Sequence, residues 1–501
     1  LRRDGTRKDG TRKKEKKMRV LFCVSEMFPL VKTGGLADVA GSLPAALQHL
    51  GIEVRLLMPA YRSVLEKTGE TRPGPALGEV LSGFPVVLRE WTLDGPQQKI
   101  PVWLVDCPAL YDRDGGPYVD GQGNDWPDNH LRFGLLSRTA ALLARGQTDL
   151  SWRPDLVHVH DWQAALAPVY LSLHSDHHVK TLLTIHNIAY RGIFEPAVMD
   201  RLQIPQRLFA LDGVEFFGNL SFLKGGIYFA DAVSTVSPTH AEEIKTTDGG
   251  FGLHGLLTAR AENLHGILNG ADYDTWNPET DPALFCNYSH YTLEGKALNK
   301  KALLRELEME LRTDRPLFGA VGRLNPDKGT DLLLESLSEI VRTGAQVVLL
   351  GAGQRDFEQQ LSAFAVAHPQ AVHVRIGYDE TLAHRIMAAS DMFVMPSRVE
   401  PCGLTQLYAL RYGTLPLVRK TGGLADTVVD VDAAPARGTG FVFESPSVSS
   451  LTAAAGRATA AFAEPSVWRE TQIRAMEKRF DWQRSAKTYR DIYRQLLAAG
   501  N

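Results

Sequence analysis

Arg323 and Lys328 stand five positions apart in Val321-Gly322-Arg323-Leu324-Asn325-Pro326-Asp327-Lys328-Gly329, directly after an apolar run. A guanidinium can clamp a phosphate through two parallel donors, and an ammonium adds a point charge. At a strand end beside glycines such a pair suits a diphosphate; spacing alone equally allows a solvated surface pair. Downstream, Pro396-Ser397-Arg398-Val399-Glu400-Pro401-Cys402-Gly403-Leu404-Thr405-Gln406 follows another apolar run, and a helix is expected to open at Gly403. The first amides of a helix attract an anion. Glu400 sits where a sugar hydroxyl could be held, or it is an acid balancing the helix dipole.

The first half offers His158-Val159-His160-Asp161-Trp162 at a strand end. Residues two apart in a strand share a face, so both histidines point the same way. His160 is the better candidate because it lies nearer the carboxyl end. A metal pair lacks a third ligand at matching spacing. His186-Asn187 closes the next strand in the same manner, and Asp128-Asn129 lies in a Trp-Pro-Asp-Asn loop. Polar loops converging on one sheet edge suit a small-ligand cleft. The heptapeptide Lys32-Thr33-Gly34-Gly35-Leu36-Ala37-Asp38 recurs as Lys420-Thr421-Gly422-Gly423-Leu424-Ala425-Asp426. Each copy follows a strand and opens a helix, and paired glycines let backbone N–H groups approach an anion. A ligand is expected at the first copy; at the second, a ligand and a bare tight turn stand level. Gly351-Ala352-Gly353-Gln354 starts like a dinucleotide fingerprint, but the third glycine is missing and no acid closes the next strand.

Positioning these residues takes two sets of buried parallel strands, which read as continuous apolar runs. Residues 19–24, 53–58, 155–160 and 180–185 form the first set, with a helix over 36–50 and hairpins inserted between 75 and 107. Residues 317–321, 346–350, 372–376, 392–395 and 415–418 form the second. Strands alternating with helices predict doubly wound α/β sheets. The expected division is a basic disordered tail over 1–17, a first α/β domain over 18–270, and a linker over 271–295. A second α/β domain over 296–475 and a helical end over 476–501 complete it.

Composition fits a globular enzyme: 44% of residues are hydrophobic and 23% charged. No apolar stretch is long enough to span a membrane. Net charge is −3, but residues 1–17 carry +6, leaving −9 on the rest. That mildly acidic body argues against a nucleic-acid face. The tail nearly repeats itself and has no apolar period; Met18, where a strand begins at once, is the expected functional start. Four scattered cysteines with no CxxC pair and no secretory signal predict free thiols in a reducing cytoplasm and no zinc site.

Taken together, KTGGLAD at Lys32–Asp38, HVHDW at His158–Trp162, GILNGAD at Gly266–Asp272, GRLNPDKG at Gly322–Gly329 and EPCGLTQ at Glu400–Gln406 resemble the bacterial glycogen synthases and plant starch synthases. The resemblance runs from Met18 to about Leu497. It implies the GT-B fold, two Rossmann-like domains with the site between them, and a C-terminal helix crossing back onto the first. It implies a retaining transfer of glucose from ADP-glucose to an α-1,4-glucan such as glycogen. No DxD-like pair stands in a donor loop and the cations can do the work, so no metal or other cofactor is expected. Lys32 and the amides of Gly34 and Gly35 match the family's donor-phosphate loop, and Asp38 follows in that motif. His160 matches a histidine contacting the donor glucose, Asn269 one contacting the transferred sugar, and Arg323 with Lys328 the diphosphate pair. Glu400, Cys402, Gly403, Leu404 and Thr405 match the loop around the glucose and distal phosphate. Gly377-Tyr378 matches the nucleotide pocket, and Asp128-Asn129 a pair near the acceptor side.

Retention could use a carboxylate nucleophile, for which Glu400 is nearest by motif. The resemblance favours attack from the front face instead, with the departing phosphate taking the acceptor proton. A transferase using UDP-glucose and a sucrose- or trehalose-type acceptor is the rival enzyme, and the early KTGGLAD argues against it. A catalytically dead glucan-binding module is the rival outside enzymes, and the intact Lys32, His160, Arg323, Lys328 and Glu400 argue against that.

Overall fold

The computed structural model describes residues 17–95, 99–148, 150–174 and 179–499. The tail expected to be disordered, apart from Lys17, lies outside the described residues. Two parallel-sheet α/β bodies are present. The first sheet has nine strands among the described residues, in the order Leu264–Gly266, Ala232–Thr235, Lys180–Ile185, Leu156–His160, Arg19–Cys23, Glu53–Pro59, Lys99–Asp106, Phe84–Asp94 and Arg72–Leu81. The first seven run parallel, and the last two add an antiparallel meander, the hairpin insertion expected after residue 75. The second sheet has six parallel strands: Val372–Ile376, Gln346–Gly353, Leu317–Leu324, Met392–Met395, Leu415–Arg419 and Phe441–Phe443.

Strand order decides where a ligand can sit. In the first sheet Arg19–Cys23 lies between Glu53–Pro59 and Leu156–His160, so connections leave in opposite directions and open a crevice at the strand carboxyl ends. The second sheet reverses between Leu317–Leu324 and Met392–Met395. The first heptapeptide and His160 emerge at the former crevice; Arg323, Lys328 and the Glu400 loop emerge at the latter.

Three short strands of these two sheets are not foreseen from sequence, Ala232–Thr235, Leu264–Gly266 and Phe441–Phe443, and neither is a small antiparallel sheet of Ile193–Phe194, Asn219–Ser221 and Glu215–Phe216. Each of these strands has two to four residues, too few to show a period. The segment 271–295 is docked on the second body: Tyr288 Oη donates to the Tyr412 carbonyl at 2.8 Å, and Asp281 accepts from His384 at 2.6 Å. The helical end is two helices. Pro465–Glu477 packs on the second core through Trp468 and Ala475, whereas Trp482–Ala498 buries Trp482, Ala486, Tyr489 and Tyr493 in the first. The two crossings between bodies run side by side, Ala271 N donating to the Phe480 carbonyl at 2.7 Å. Gly270 is required there, because a Cβ would stand 2.5 Å from Trp482 N.

Candidate functional site

The first heptapeptide begins with Lys32, whose Nζ lies 2.8 Å from Asp38 Oδ1. Gly34 is the N-cap of helix Gly35–His49, so the Gly35 amide is among the first of that helix, and nothing lies within 4 Å of where a Gly35 side chain would start. Behind the turn sits Glu26, which accepts from Thr33 N at 2.5 Å and Thr33 Oγ1 at 2.6 Å. Burial pushes Glu26 up to about 7 against the pull of Thr33 and Gly34. Sequence reasoning missed Glu26; the available clue was an acid in Ser25-Glu26-Met27, just past a buried strand.

His160 is fully buried at the end of Leu156–His160. Its Nδ1 meets His186 Nε2 at 2.9 Å, and its ring packs on Phe22 and His158 with centroids 4.1 Å away. His160 Nε2 is buried without a partner. Burial, helped by His158 and His186, holds His160 neutral well below the ordinary imidazole range, and burial brings His186 down to about 3. Asp161, with φ +54°, accepts from His186 N at 2.7 Å and Asn187 N at 3.3 Å, fixing the next loop. Asn187 Oδ1 in turn accepts from Ala189 N at 3.0 Å.

In the second body Asn325 caps a short turn by accepting from Lys328 N at 3.0 Å, which aims Lys328 at Glu400. Lys328 Nζ and Glu400 Oε2 are 2.6 Å apart, and Ser397 Oγ donates to the same oxygen at 3.1 Å. Glu400 is 5% exposed. Arg323 is exposed, and its side chain makes no hydrogen bond or ion pair among the described residues. Cys402 is buried, its thiol pushed up to about 12 by burial, and the Asn269 backbone N–H points at its sulfur. Asn269 Oδ1 is buried and unpartnered. The helix expected to open at Gly403 opens two residues later, at Thr405–Arg411, with Leu404 as its N-cap. Gly403, at φ +71°, makes the turn, and Gln406 Nε2 donates to the carbonyls of Cys402 and Gly403 at 3.0 Å. Thr405 Oγ1 donates to Met395 Sδ at 3.3 Å. Gly377, at φ +128°, presents an exposed Tyr378 whose hydroxyl donates to Glu380.

Lys32 and Asp38 face the second body across a cavity of about 190 Å³, lined there by Asp272, Thr275, Trp276, Glu380 and Tyr408. Trp276 stacks between His384 and Tyr408 at 3.7 and 4.4 Å. Burial works against a charge on His384, but hydrogen bonds to Asp281 and Glu380 prevail and lift it to about 9. A folded-state pKa raised above the ordinary value of about 6.5 stabilises fully below that value and fades as pH rises through about 9. The melting advantage of the wild type over His384→Gln should therefore shrink between pH 6 and 9.5, by about 2 kcal/mol after allowance for solvent screening. A gap that stays constant over that range would refute the charged pair.

Two expected acceptor-side residues are otherwise engaged. Asp128 is clamped by Arg113 through contacts of 2.5 and 2.8 Å. Asn129 is buried, donates to the Tyr118 carbonyl at 2.9 Å and accepts from Arg132 at 2.7 Å, so it braces the loop with one bond at each end of its amide. A larger cavity, about 530 Å³, lies by Arg315, Phe462 and Trp468 and touches none of the expected site residues.

These positions can be set against known proteins. The starch synthase catalytic domain pattern matches residues 19–259, and the group 1 glycosyl transferase pattern matches 307–460. The glycogen synthase of Paramagnetospirillum magneticum is 48% identical over 96% of this chain and 98% of its own length. The glycogen synthase of Thioalkalivibrio sulfidiphilus is also 48% identical, over 96% and 100%. The chain belongs to the glycogen and starch synthase family. It is a glucosyltransferase with the GT-B fold of that family. The catalytic domain of Starch Synthase IV from Arabidopsis thaliana, solved with ADP and acarbose, superposes with a TM-score of 0.86 at 31% identity, covering 96% of this chain and 100% of that one. A sucrose-phosphate synthase from Thermosynechococcus elongatus, at TM-score 0.58 and 17% identity over 97% of this chain and 100% of its own, shares the fold. No helix among the described residues is long and apolar enough to cross a membrane.

Proposed function

We propose that the chain transfers glucose from ADP-glucose to the 4-hydroxyl at the non-reducing end of an α-1,4-glucan, keeping the α configuration. The carrying observation is a pair of buried polar atoms with no protein partner, His160 Nε2 and Asn269 Oδ1. Other buried side-chain atoms also lack a protein partner, so these two are distinguished by their place, at the carboxyl end of Leu156–His160 and in the motif Gly266–Asp272, where ligand hydroxyls can meet them. A neutral His160 is suited to a hydroxyl, since a neutral imidazole hydrogen-bonds without demanding a counter-charge. The ADP held by the Arabidopsis relative supports an adenosine diphosphate leaving group here.

Breaking the C1–O bond loads negative charge onto the leaving diphosphate. Lys32, Arg323, Lys328 and the amide of Gly35 can meet that charge in a closed cleft, where preorganised donors count for more than in water. Glu400 is a poor nucleophile as placed, because Lys328 and Ser397 already hold its Oε2. Its geometry instead aims the Lys328 ammonium. That supports front-face attack, in which the acceptor O4 bonds to C1 as the C1–phosphate bond breaks. The leaving phosphate oxygen takes the O4 proton.

Release of ADP on incubation with ADP-glucose and glycogen tests the reading. Turnover with UDP-glucose and a small sugar acceptor instead would favour the sucrose-type rival; glycogen binding with no release would favour a dead module. We further propose that no metal is needed, because Lys32, Arg323 and Lys328 can neutralise the leaving diphosphate. Activity should survive EDTA at unchanged rate, and loss restored by Mg²⁺ or Mn²⁺ would refute it. Four free cysteines support a cytoplasmic setting.

A further inference from the structure

The repeated heptapeptide is used twice in different ways. In the first copy the amide and hydroxyl of Thr33 wrap the carboxylate of Glu26, on the same body. In the second, Thr421 Oγ1 and Gly422 N donate to Glu243 Oε1 at 2.9 and 3.0 Å. Glu243 belongs to the first body, at the end of helix Pro238–Glu243, which follows strand Ala232–Thr235 of the first sheet. The aspartates diverge too. Asp38 pairs with its own Lys32, whereas Asp426 accepts from Thr239 N at 2.9 Å and Thr239 Oγ1 at 2.7 Å, again across the divide. Lys420 turns to Glu444 instead.

This second copy lies directly under the Glu400 loop. Gly423 N donates to the carbonyls of Glu400 and Pro401, each at 3.2 Å. Ser237, which caps the helix Pro238–Glu243, donates its buried hydroxyl to the Pro401 carbonyl at 2.6 Å. Contact is so close that only glycine fits: a Cβ on Gly422, at φ +42°, would stand 2.0 Å from the Glu400 carbonyl oxygen, and one on Gly423 2.0 Å from that of Cys402. Burial alone would push the Glu243 carboxyl up; hydrogen bonds from His240, Gly422 and Thr421 outweigh it and hold the group below the usual carboxylate range.

We infer that the second heptapeptide is an interdomain clamp, in which Glu243, Thr239 and Ser237 of the first body act as positioning residues for the Glu400 loop through Thr421, Gly422, Gly423 and Asp426. The clamp ties the loop that aims Lys328 to the body that carries His160. Both halves of the transition-state charge are thereby held in register. The three act through the Glu400 loop, by the contacts above, and the inference rests on the transfer reaction proposed above.

A misplaced loop should weaken contacts made in the transition state more than those made on binding, so kcat should fall while KM holds. The experiment uses the full chain with ADP-glucose and glycogen. Glu243→Ala should lower kcat by about tenfold to a hundredfold, the scale of an ångström-level misplacement, with the KM for ADP-glucose within about twofold. Glu243→Gln keeps an oxygen acceptor for Thr421 and Gly422, so it should restore most of the rate. Unchanged kcat in the alanine variant, or an equal loss in the glutamine variant, would overturn the clamp. If Glu243→Ala fails to fold, Thr239→Val removes one half-exposed hydroxyl and carries the test. A lower kcat at constant KM and melting temperature supports the clamp, and an unchanged kcat overturns it. Wild type run alongside separates the two readings, since its failure to release ADP would refute the reaction and not the clamp.

Discussion

Replacing Lys328 with alanine should lower kcat about 10²- to 10³-fold while glycogen binding is kept. The ammonium is fixed before any ligand arrives: Asn325 caps its turn, Gly329 in the left-handed region closes it, and Glu400 holds Nζ at 2.6 Å. A Cβ at Gly329 would meet the Pro396 carbonyl oxygen at 2.1 Å, so this turn is also packed against the start of the Glu400 loop. A cation so placed needs no reorganisation as charge develops on the leaving diphosphate, and losing one preorganised donor costs about 3 to 4 kcal/mol in the transition state. Truncation also leaves Glu400 buried with only Ser397 for company, so some stability is lost as well. Steady-state kinetics, glycogen co-sedimentation and a melting curve separate these contributions. Near-normal kcat in Lys328→Ala would remove the lysine from the leaving-group site.

His160→Ala should cost about 10²-fold in kcat, because it removes a hydrogen-bonding atom that no protein group can replace. The pH profile sharpens this. A folded-state pKa depressed by burial means that protonation comes only well below the ordinary imidazole value, so kcat should show no imidazole step between pH 5.5 and 8. His186, brought down to about 3, adds no imidazole step there either, and a step near pH 7 that persists in His160→Ala would belong to the raised carboxyls of Glu26 or Asp161. A wild-type step near pH 6.5 that vanishes in His160→Ala would show a histidine that titrates in use, contrary to a buried neutral ring.

Much of this architecture is readable from local rules. Strands buried on both faces are largely apolar, and that pattern marks 19–24, 155–160, 180–185, 317–321 and 392–395, where the structure has Arg19–Cys23, Leu156–His160, Lys180–Ile185, Leu317–Leu324 and Met392–Met395. Ligands of such sheets gather at the carboxyl ends, so the residues at or beyond those ends, His160, Arg323, Lys328 and Glu400, are the natural candidates. Helix boundaries are less legible. Gly403 looks like a helix start, but its positive φ makes it part of the preceding turn, and propensity alone does not distinguish the two.

Other assignments depend on partners far away in the chain. Asp128 and Asn129 read from sequence only as a polar pair in a loop, and it is the fold that braces them on Arg113, Tyr118 and Arg132. Glu26 looks like an ordinary acid after a strand, yet burial behind the Thr33 turn brings it near neutrality. The heptapeptide shows the division most sharply. Its sequence determines a tight glycine turn opening a helix, and both copies make one, at Gly35–His49 and Gly422–Thr427. Seven identical residues have identical local preferences, so nothing within them could say that one turn faces the cleft and the other grips Glu243, 179 positions away. That choice was made only by the tertiary structure, because a backbone amide takes whichever carboxylate the packing of two sheets brings within hydrogen-bond reach.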